Sequence, residues 1–364
     1  MTERDGTAPA LALGCHSCHT TRTNDIKRHV YAAANVVQER RARLPGAIRH
    51  VHGPSDVDCG PDELVVLSIG RDAEPWISSF VDHHLALGAK HIFYLDNGSN
   101  DDTLARAARY EHVSVFTTDL PFSRYEVGLR RWITRAFGRN RWSLYCDADE
   151  LFEYPYSDRL ALPDLLRYLR HYGYKALTGQ MLDLFSAKPF SQLKHSPDDS
   201  LRETYTYYDL TDLVPTHDVY WIRDGLLANM DIACLFGGIR KRFFGDACLL
   251  LTKHPLVYAD DSVGVYTYDG HFMTGAPVAD ISAALLHYKY VASLPARVRQ
   301  TVAEEWHNKA GALYGGLSGV LGNNPDLSLR LETARQLTQV NELVDNGFLA
   351  VTPRYREWVD RHGR

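Results

Sequence analysis

The sequence predicts an α/β fold: a mainly parallel sheet with helices on both faces and helical extensions at the two ends. Three observations predict it. Short apolar runs recur from residue 64 onward, each is followed by a stretch with helical spacing, and Gly-, Asn- and Asp-bearing turns separate them. A chain of 364 residues can bury a large core as one α/β domain with extensions or as two smaller domains. The expected division is a flexible or helical extension over residues 1–60, the α/β domain over 61–295 and a helical extension over 296–364.

Residues 1–23 are small, polar and unpatterned, and 24–44 read as a polar helix with Val30, Ala34 and Val37 on one side. Leu64-Val65-Val66-Leu67-Ser68-Ile69 reads as a buried strand, Gly70-Arg71-Asp72 as its turn, and 75–87 as a helix whose Pro75 suits a first turn. A strand over 91–95, a polar loop over 96–101, a helix over 102–110 and a strand over 113–116 follow. An Arg-rich helix over 124–138 leads into a strand over 142–146. Beyond Pro163 come a helix over 164–170, an extended run over 175–185 and a polar, Pro-containing region to about residue 221. Acceptor-binding residues are expected in that region, because irregular loops on a rigid sheet are where binding residues sit. Gly237-Gly238 introduce a strand-like return with Arg240, Lys241 and Arg242, then an apolar run over 249–252 with Lys253. A helix over 278–293 holds His287, and 328–344 reads as helical packing. No repeat or low-complexity tract interrupts the pattern.

A formal charge of −5 gives no global footprint for nucleic acid, so an anionic ligand must be met by a local cluster. No apolar run reaches the length of a membrane-spanning helix, and residues 1–10 lack the basic start and apolar core of a secretory signal. A cytoplasmic location is therefore expected, with peripheral attachment to a membrane left open. Six scattered cysteines make no disulfide framework, which agrees with a reducing compartment. Cys15-His16-Ser17-Cys18-His19 matches a haem-attachment pattern and offers zinc-like ligands, but with no export signal and no second knuckle it reads as a flexible segment with incidental thiols.

Asp72, Asp96 and Asp147 each follow a strand, and ligands of such sheets bind beyond the carboxyl ends of the strands, so the three are expected at one edge. In Cys146-Asp147-Ala148-Asp149-Glu150, two carboxylates one residue apart emerge from a buried strand. Oxygen ligands so placed suit Mg²⁺ or Mn²⁺ and, through the cation, a diphosphate. In the loop from Leu95 to Thr103, Gly98 allows a tight turn, and Asp101 or Asp102 suits a helix cap. There Asp96 either serves the turn or accepts hydrogen bonds from the imide or ribose of a nucleotide. Arg124, Arg130, Arg131, Arg135, Arg139 and Arg141 read as a solvated helix face rather than a surface for nucleic acid or anionic lipid.

Taken together these stretches resemble glycosyltransferase family 2, in its bacterial branch related to family 92. The resemblance is carried by Arg71-Asp72-Ala73-Glu74-Pro75-Trp76, Phe80-Val81-Asp82-His83-His84, Leu95 to Thr103 and Asp147 to Phe152. It continues in Gly237-Gly238-Ile239-Arg240-Lys241-Arg242, Lys253-His254-Pro255-Leu256-Val257, His271-Phe272 and Leu285-Leu286-His287-Tyr288-Lys289-Tyr290, and so covers roughly residues 64–293. The family implies a GT-A, Rossmann-like fold and a DxD motif at Asp147 and Asp149. It also implies transfer of a sugar, with inversion, from a nucleotide-diphosphate sugar to a hydroxyl of a glycan, lipid-linked or small-molecule acceptor, assisted by Mg²⁺ or Mn²⁺. By that resemblance Arg71, Asp72, Glu74, Asp96, Asn97 and Asp147 contact the donor, and the metal ligands come from Asp147, Asp149, His271 and His287. Glu150 orients a neighbour. Arg240, Arg242 and Lys253 face the departing diphosphate, or else form a solvated basic edge. For the base that deprotonates the acceptor, Asp183 and Asp209 stand ahead of Asp231 and Asp246. Two alternatives stay open: a metal-dependent nucleotidyl or phosphoryl transferase, which the lack of a Gly-rich Lys-Ser/Thr loop disfavours, and a non-catalytic nucleotide-sugar-binding protein.

Overall fold

A computed structural model describes residues 44–216, 232–245, 250–266, 271–304, 315–324 and 326–364. All but the last residue of the expected helix at 24–44, the Cys15–Cys18 pair, Asp231 and Asp246 lie outside the described residues. In chain order the strands are β1 (Arg49–His52), β2 (Leu64–Gly70), β3 (His91–Asp96), β4 (Val113–Thr117), β5 (Trp142–Tyr145), β6 (Glu150–Glu153) and β7 (Ala176–Asp183). There follow β8 (Tyr207–Tyr208), β9 (Leu213–Thr216), β10 (Cys234–Gly237), β11 (Thr252–Tyr258), β12 (Val278–His287) and β13 (Arg335–Gln336).

Nine of these form one mixed, mostly parallel sheet in the order β1-β4-β3-β2-β5-β11-β7-β12-β6. Strands β2, β3, β4, β5, β7 and β12 run one way, and β1, β11 and β6 oppose them. Side chains alternate across it, as a pleated strand requires. Leu64, Val66, Ile92 and Tyr94 pack with Trp76, Ile77 and Phe80 of α1 (Glu74–Leu87) and with Leu165, Leu166 and Leu169 of a later helix. Val65, Leu67, Phe93 and Leu95 face Leu129, Ile133 and Phe137 on the other side. Helices therefore cover both faces. After α1 come α2 (Thr103–Ala107), α3 (Phe122–Phe137), which carries Leu129, Ile133 and Phe137, and α4 (Leu162–His171), the later helix just mentioned. Among the described residues no helix is long and apolar enough to cross a membrane.

Three expected elements are corrected. Residues 278–293 are not a helix; Val278–His287 is β12, buried between β7 and β6. A strand enclosed on both faces reads as a continuous apolar run, and that burial overrides the helix preference of its alanines. The return at Arg240, Lys241 and Arg242 is a helix, α5 (Ile239–Phe244), rather than a strand. Gly237 (φ 82) and Gly238 (φ 64) both take left-handed backbone, which breaks β10 and turns the chain into the helix. Residues 328–344 are mostly irregular and contain β13, with helices instead at α6 (Leu294–Glu304), Gly315–Asn323, Glu342–Asp345 and Pro353–His362.

The exit of β2 has no room for a side chain. A Cβ on Gly70 would collide with the hydroxyl oxygen of Tyr94, a fully buried residue whose hydroxyl has no hydrogen-bond partner among the described residues. Gly70→Ala is expected to cost about 1–3 kcal/mol in urea unfolding through overpacking. Adding Tyr94→Phe removes the clashing atom and should restore most of the loss; an unrelieved double variant would refute the clash.

Candidate functional site

Strand β5 lies mid-sheet and β6 at the edge, with β11, β7 and β12 between them. The joining residues Cys146, Asp147, Ala148 and Asp149 therefore cross the carboxyl edge of the parallel strands. The crossing is pinned at both ends: Cys146 N–H donates to Leu67 O at 3.1 Å, and Tyr288 N–H donates to Asp149 O at 2.7 Å. Glu150 closes the turn, its carboxylate accepting the Asp147 N–H at 3.0 Å. Gly70 and Asp96 are register partners at the ends of β2 and β3, and Asp183 and His287 at the ends of β7 and β12. The acidic loops distant in sequence thus arrive at one sheet edge.

Asp147 is set between two cations. Arg130 of α3 reaches Oδ1 at 3.2 Å and Lys253 Nζ reaches Oδ2 at 3.5 Å. The Arg130 guanidinium lies 4.7 Å over the Tyr145 ring, and the Tyr145 hydroxyl donates to Asp147 Oδ1 at 3.3 Å. Lys253 also donates to both Glu150 oxygens, at 2.7 and 2.6 Å. Burial opposes the charge on Asp147, but Arg130 and Lys253 outweigh it and hold its pKa below the usual carboxylate range. Burial likewise opposes the Lys253 charge, and Glu150 and Asp147 overcome it, so its pKa is raised.

Asp149 faces His287. Its Oδ2 lies 3.3 Å from His287 Nε2, while His287 Nδ1 lies 2.5 Å from Asp183 Oδ1. Asp183 in turn is gripped by Arg240, whose Nε and Nη2 donate at 2.7 Å each. Ligands on adjacent corners of an octahedral cation, each about 2.1 Å from it, stand about 3 Å apart. The Asp149–His287 separation is that of a direct ion pair, and although burial opposes the His287 charge, Asp149 and Asp183 together raise its pKa; the same spacing also matches two such corners, with Asp183 then fixing the ring from behind. Among the described residues no group of three or more His, Cys, Asp or Glu side chains is arranged so that it could hold a metal ion. A Mg²⁺ or Mn²⁺ ion here would complete its shell with water and substrate phosphate, as such ions commonly do. Exposure marks which side meets a ligand: the Asp147 and Asp149 side chains are 31% and 21% exposed, against 1% for Glu150 and 6% for Asp183.

The other expected residues fall into distinct places. Burial opposes ionisation of Asp183, but Arg240 and His287 pull its pKa well below the usual range, which makes it a poor base; its contacts make it a positioning residue. Asp209 holds Thr211 N–H at 2.7 Å and the Thr333 hydroxyl at 2.6 Å, a turn-stabilising role rather than that of a base. Asp96 turns into its own loop, accepting Gly98 N–H and Ser99 N–H at 3.0 Å each and the Ser99 hydroxyl, so turn chemistry accounts for its carboxylate. Asn97 donates to Thr118 O and Leu120 O. Asp72 (φ 50) accepts Asn100 N–H at 2.7 Å and lies 3.5 Å from Arg71 Nε, while the backbone N–H of Glu74 donates to Asp101. These loops brace one another. Arg240 is committed to Asp183, and Arg242 is exposed and lies 3.5 Å from Asp212. His271 is half-buried, its carbonyl accepting His254 N–H at 2.8 Å, and its charge is among those lowering the Asp147 pKa.

Arg130 is the residue that reading the arginines as solvated missed. Arg124, Arg135 and Arg139 are exposed as expected and Arg141 is half-buried, but Arg130 and Arg131 are buried, the latter donating to Val265 O and Tyr266 O. The signal was present in the spacing. Arg130 stands in the stripe Val127, Arg130, Ile133 and Phe137, which faces the sheet. No family model matches the chain, and no curated protein matches it.

Proposed function

We propose that this chain is a metal-dependent glycosyltransferase of GT-A organisation, moving a sugar from a nucleotide-diphosphate sugar to an acceptor hydroxyl. The reading rests above all on the Asp149–His287 pair, 3.3 Å apart and backed by Asp183, with Asp149 on the segment that crosses the carboxyl edge of the sheet and His287 at the end of β12. Mg²⁺ or Mn²⁺, held by Asp149 and His287, would supply a fixed positive charge where the leaving diphosphate gains negative charge. Arg130 and Lys253 keep Asp147 ionised, and its partly exposed carboxylate would meet the donor. Arg240 and Asp183 hold the imidazole with Nε2 toward Asp149.

The test is incubation with a panel of nucleotide sugars, Mn²⁺ and hydroxyl acceptors, reading free nucleoside diphosphate and glycosylated product together. Both should appear, in equal amounts and only with the divalent ion. Release of nucleoside monophosphate or pyrophosphate would transfer the assignment to phosphorus chemistry, and binding without turnover would transfer it to a nucleotide-sugar-binding role.

A further inference from the structure

Arg130 reaches Asp147 with few hydrogen bonds to hold it there. Its side chain is buried, and its Nη2 is divided between Asp147 Oδ1 at 3.2 Å and Glu126 Oε1, one turn earlier on α3, at 3.4 Å. Among the described residues its buried Nε and Nη1 have no hydrogen-bond partner. Buried donors left unpaired favour any rearrangement that satisfies them, and the partly exposed Glu126 carboxylate offers one. A guanidinium drawn toward Glu126 would leave Asp147 with Lys253 alone.

The Tyr145 ring opposes that movement. The Arg130 guanidinium lies 4.7 Å over its centroid, and attraction of a cation to a ring face is strongest where water is excluded. The ring is itself fixed. Tyr145 is buried at the end of β5, in register with Leu67 of β2, and it packs against the Tyr266 ring in a T-shaped contact at 5.8 Å. From that ring the hydroxyl donates to Asp147 Oδ1 at 3.3 Å, the same oxygen that Arg130 approaches. One side chain therefore touches both the cation and the carboxylate of the pair.

We propose that Tyr145 is a positioning residue of the donor site: its ring seats Arg130 against Asp147, and its hydroxyl fixes the orientation of the Asp147 carboxylate. That Asp147 meets the donor rests on the glycosyltransferase reading above. Tyr145 acts through Asp147 and Arg130, so its effect falls on the binding of the nucleotide sugar more than on the chemical step.

Steady-state kinetics of the full chain, with the nucleotide sugar varied at saturating Mn²⁺ and acceptor, tests this. Tyr145→Phe, which keeps the ring, should raise the donor KM about threefold. Tyr145→Leu, which removes the ring as well, should raise it about tenfold, and in both variants kcat per folded molecule should stay within about twofold of wild type. In an Arg130→Met background the Phe and Leu variants should share one donor KM, because the ring then has no cation to seat. A donor KM unchanged in Tyr145→Phe overturns the assignment and leaves the glycosyltransferase reading standing, even where Tyr145→Leu fails to fold. A fall in stability or in kcat with KM intact overturns it too, as does a gap between Phe and Leu that persists without Arg130. A wild type that transfers no sugar overturns both.

Discussion

Asp149→Ala is expected to lower metal-dependent sugar transfer by about 10²–10³-fold or more, the scale of removing a group that holds transition-state charge in place. The reason is geometric. Asp149 is the carboxylate facing His287 Nε2 at 3.3 Å, and Asp183 and Arg240 still hold that imidazole after Asp149 is removed. The variant should therefore fold normally and lose Mn²⁺ affinity, which electron paramagnetic resonance of free Mn²⁺ reads directly. Asp209→Ala is the contrasting change, because that carboxylate serves Thr211 and Thr333. It should leave the rate per folded molecule unchanged while lowering stability. Full turnover by Asp149→Ala would remove the metal role and with it the main support for the proposed reaction.

The parts of this molecule that were legible in its sequence are those where local pattern and tertiary burial agree. Leu64–Gly70 and His91–Asp96 are continuous apolar runs ended by turn residues, and each became a parallel strand close to its expected bounds. The gathering of Asp72, Asp96 and Asp147 at one edge followed from strand direction alone. What local pattern could not supply was the fate of each carboxylate after it arrived there. Asp96 and Asp147 look alike in sequence, each an acidic residue at a strand end, yet one is consumed by the N–H groups of its own loop and the other is held open between Arg130 and Lys253. That difference is set by Arg130 and Lys253, which lie 17 and 106 positions (147 − 130 and 253 − 147) from Asp147; helical spacing puts Arg130 on the buried face of its helix but names neither residue as the partner of that carboxylate. Val278–His287 failed for a related reason: an alanine-rich apolar stretch suits a helix or an enclosed strand equally, and its neighbours β7 and β6 decide.

Lys253→Met should produce the largest stability loss at the site, about 3–5 kcal/mol, because it strands Glu150 in the interior without its cation. The Glu150 side chain is 1% exposed and both its oxygens take hydrogen bonds from Lys253 at 2.6–2.7 Å, so water cannot replace the ammonium. Asp147 suffers less, since Arg130 remains at 3.2 Å and 31% of its side chain faces solvent. The pair Lys253→Met with Glu150→Leu replaces an ion pair by apolar groups of similar volume and should recover most of the loss, as buried ion pairs generally cost in desolvation much of what they return in attraction. Urea unfolding of the two single variants and the double variant closes the thermodynamic cycle, and a coupling near zero would show that the two side chains do not support one another. The loss should also depend on pH in a definite direction. Burial already pushes the Glu150 pKa up, with Lys253 opposing it, so in Lys253→Met with chelator present the folded-state pKa rises further above the unfolded value. Below the unfolded pKa the group is protonated in both states and the deficit is small. Because the unfolded chain titrates alike in both proteins, the deficit relative to wild type grows only once the pH passes the raised folded pKa of wild-type Glu150, and it stops growing above the still higher folded value of the variant. A deficit that shrinks as pH rises would contradict the pairing of Lys253 with Glu150.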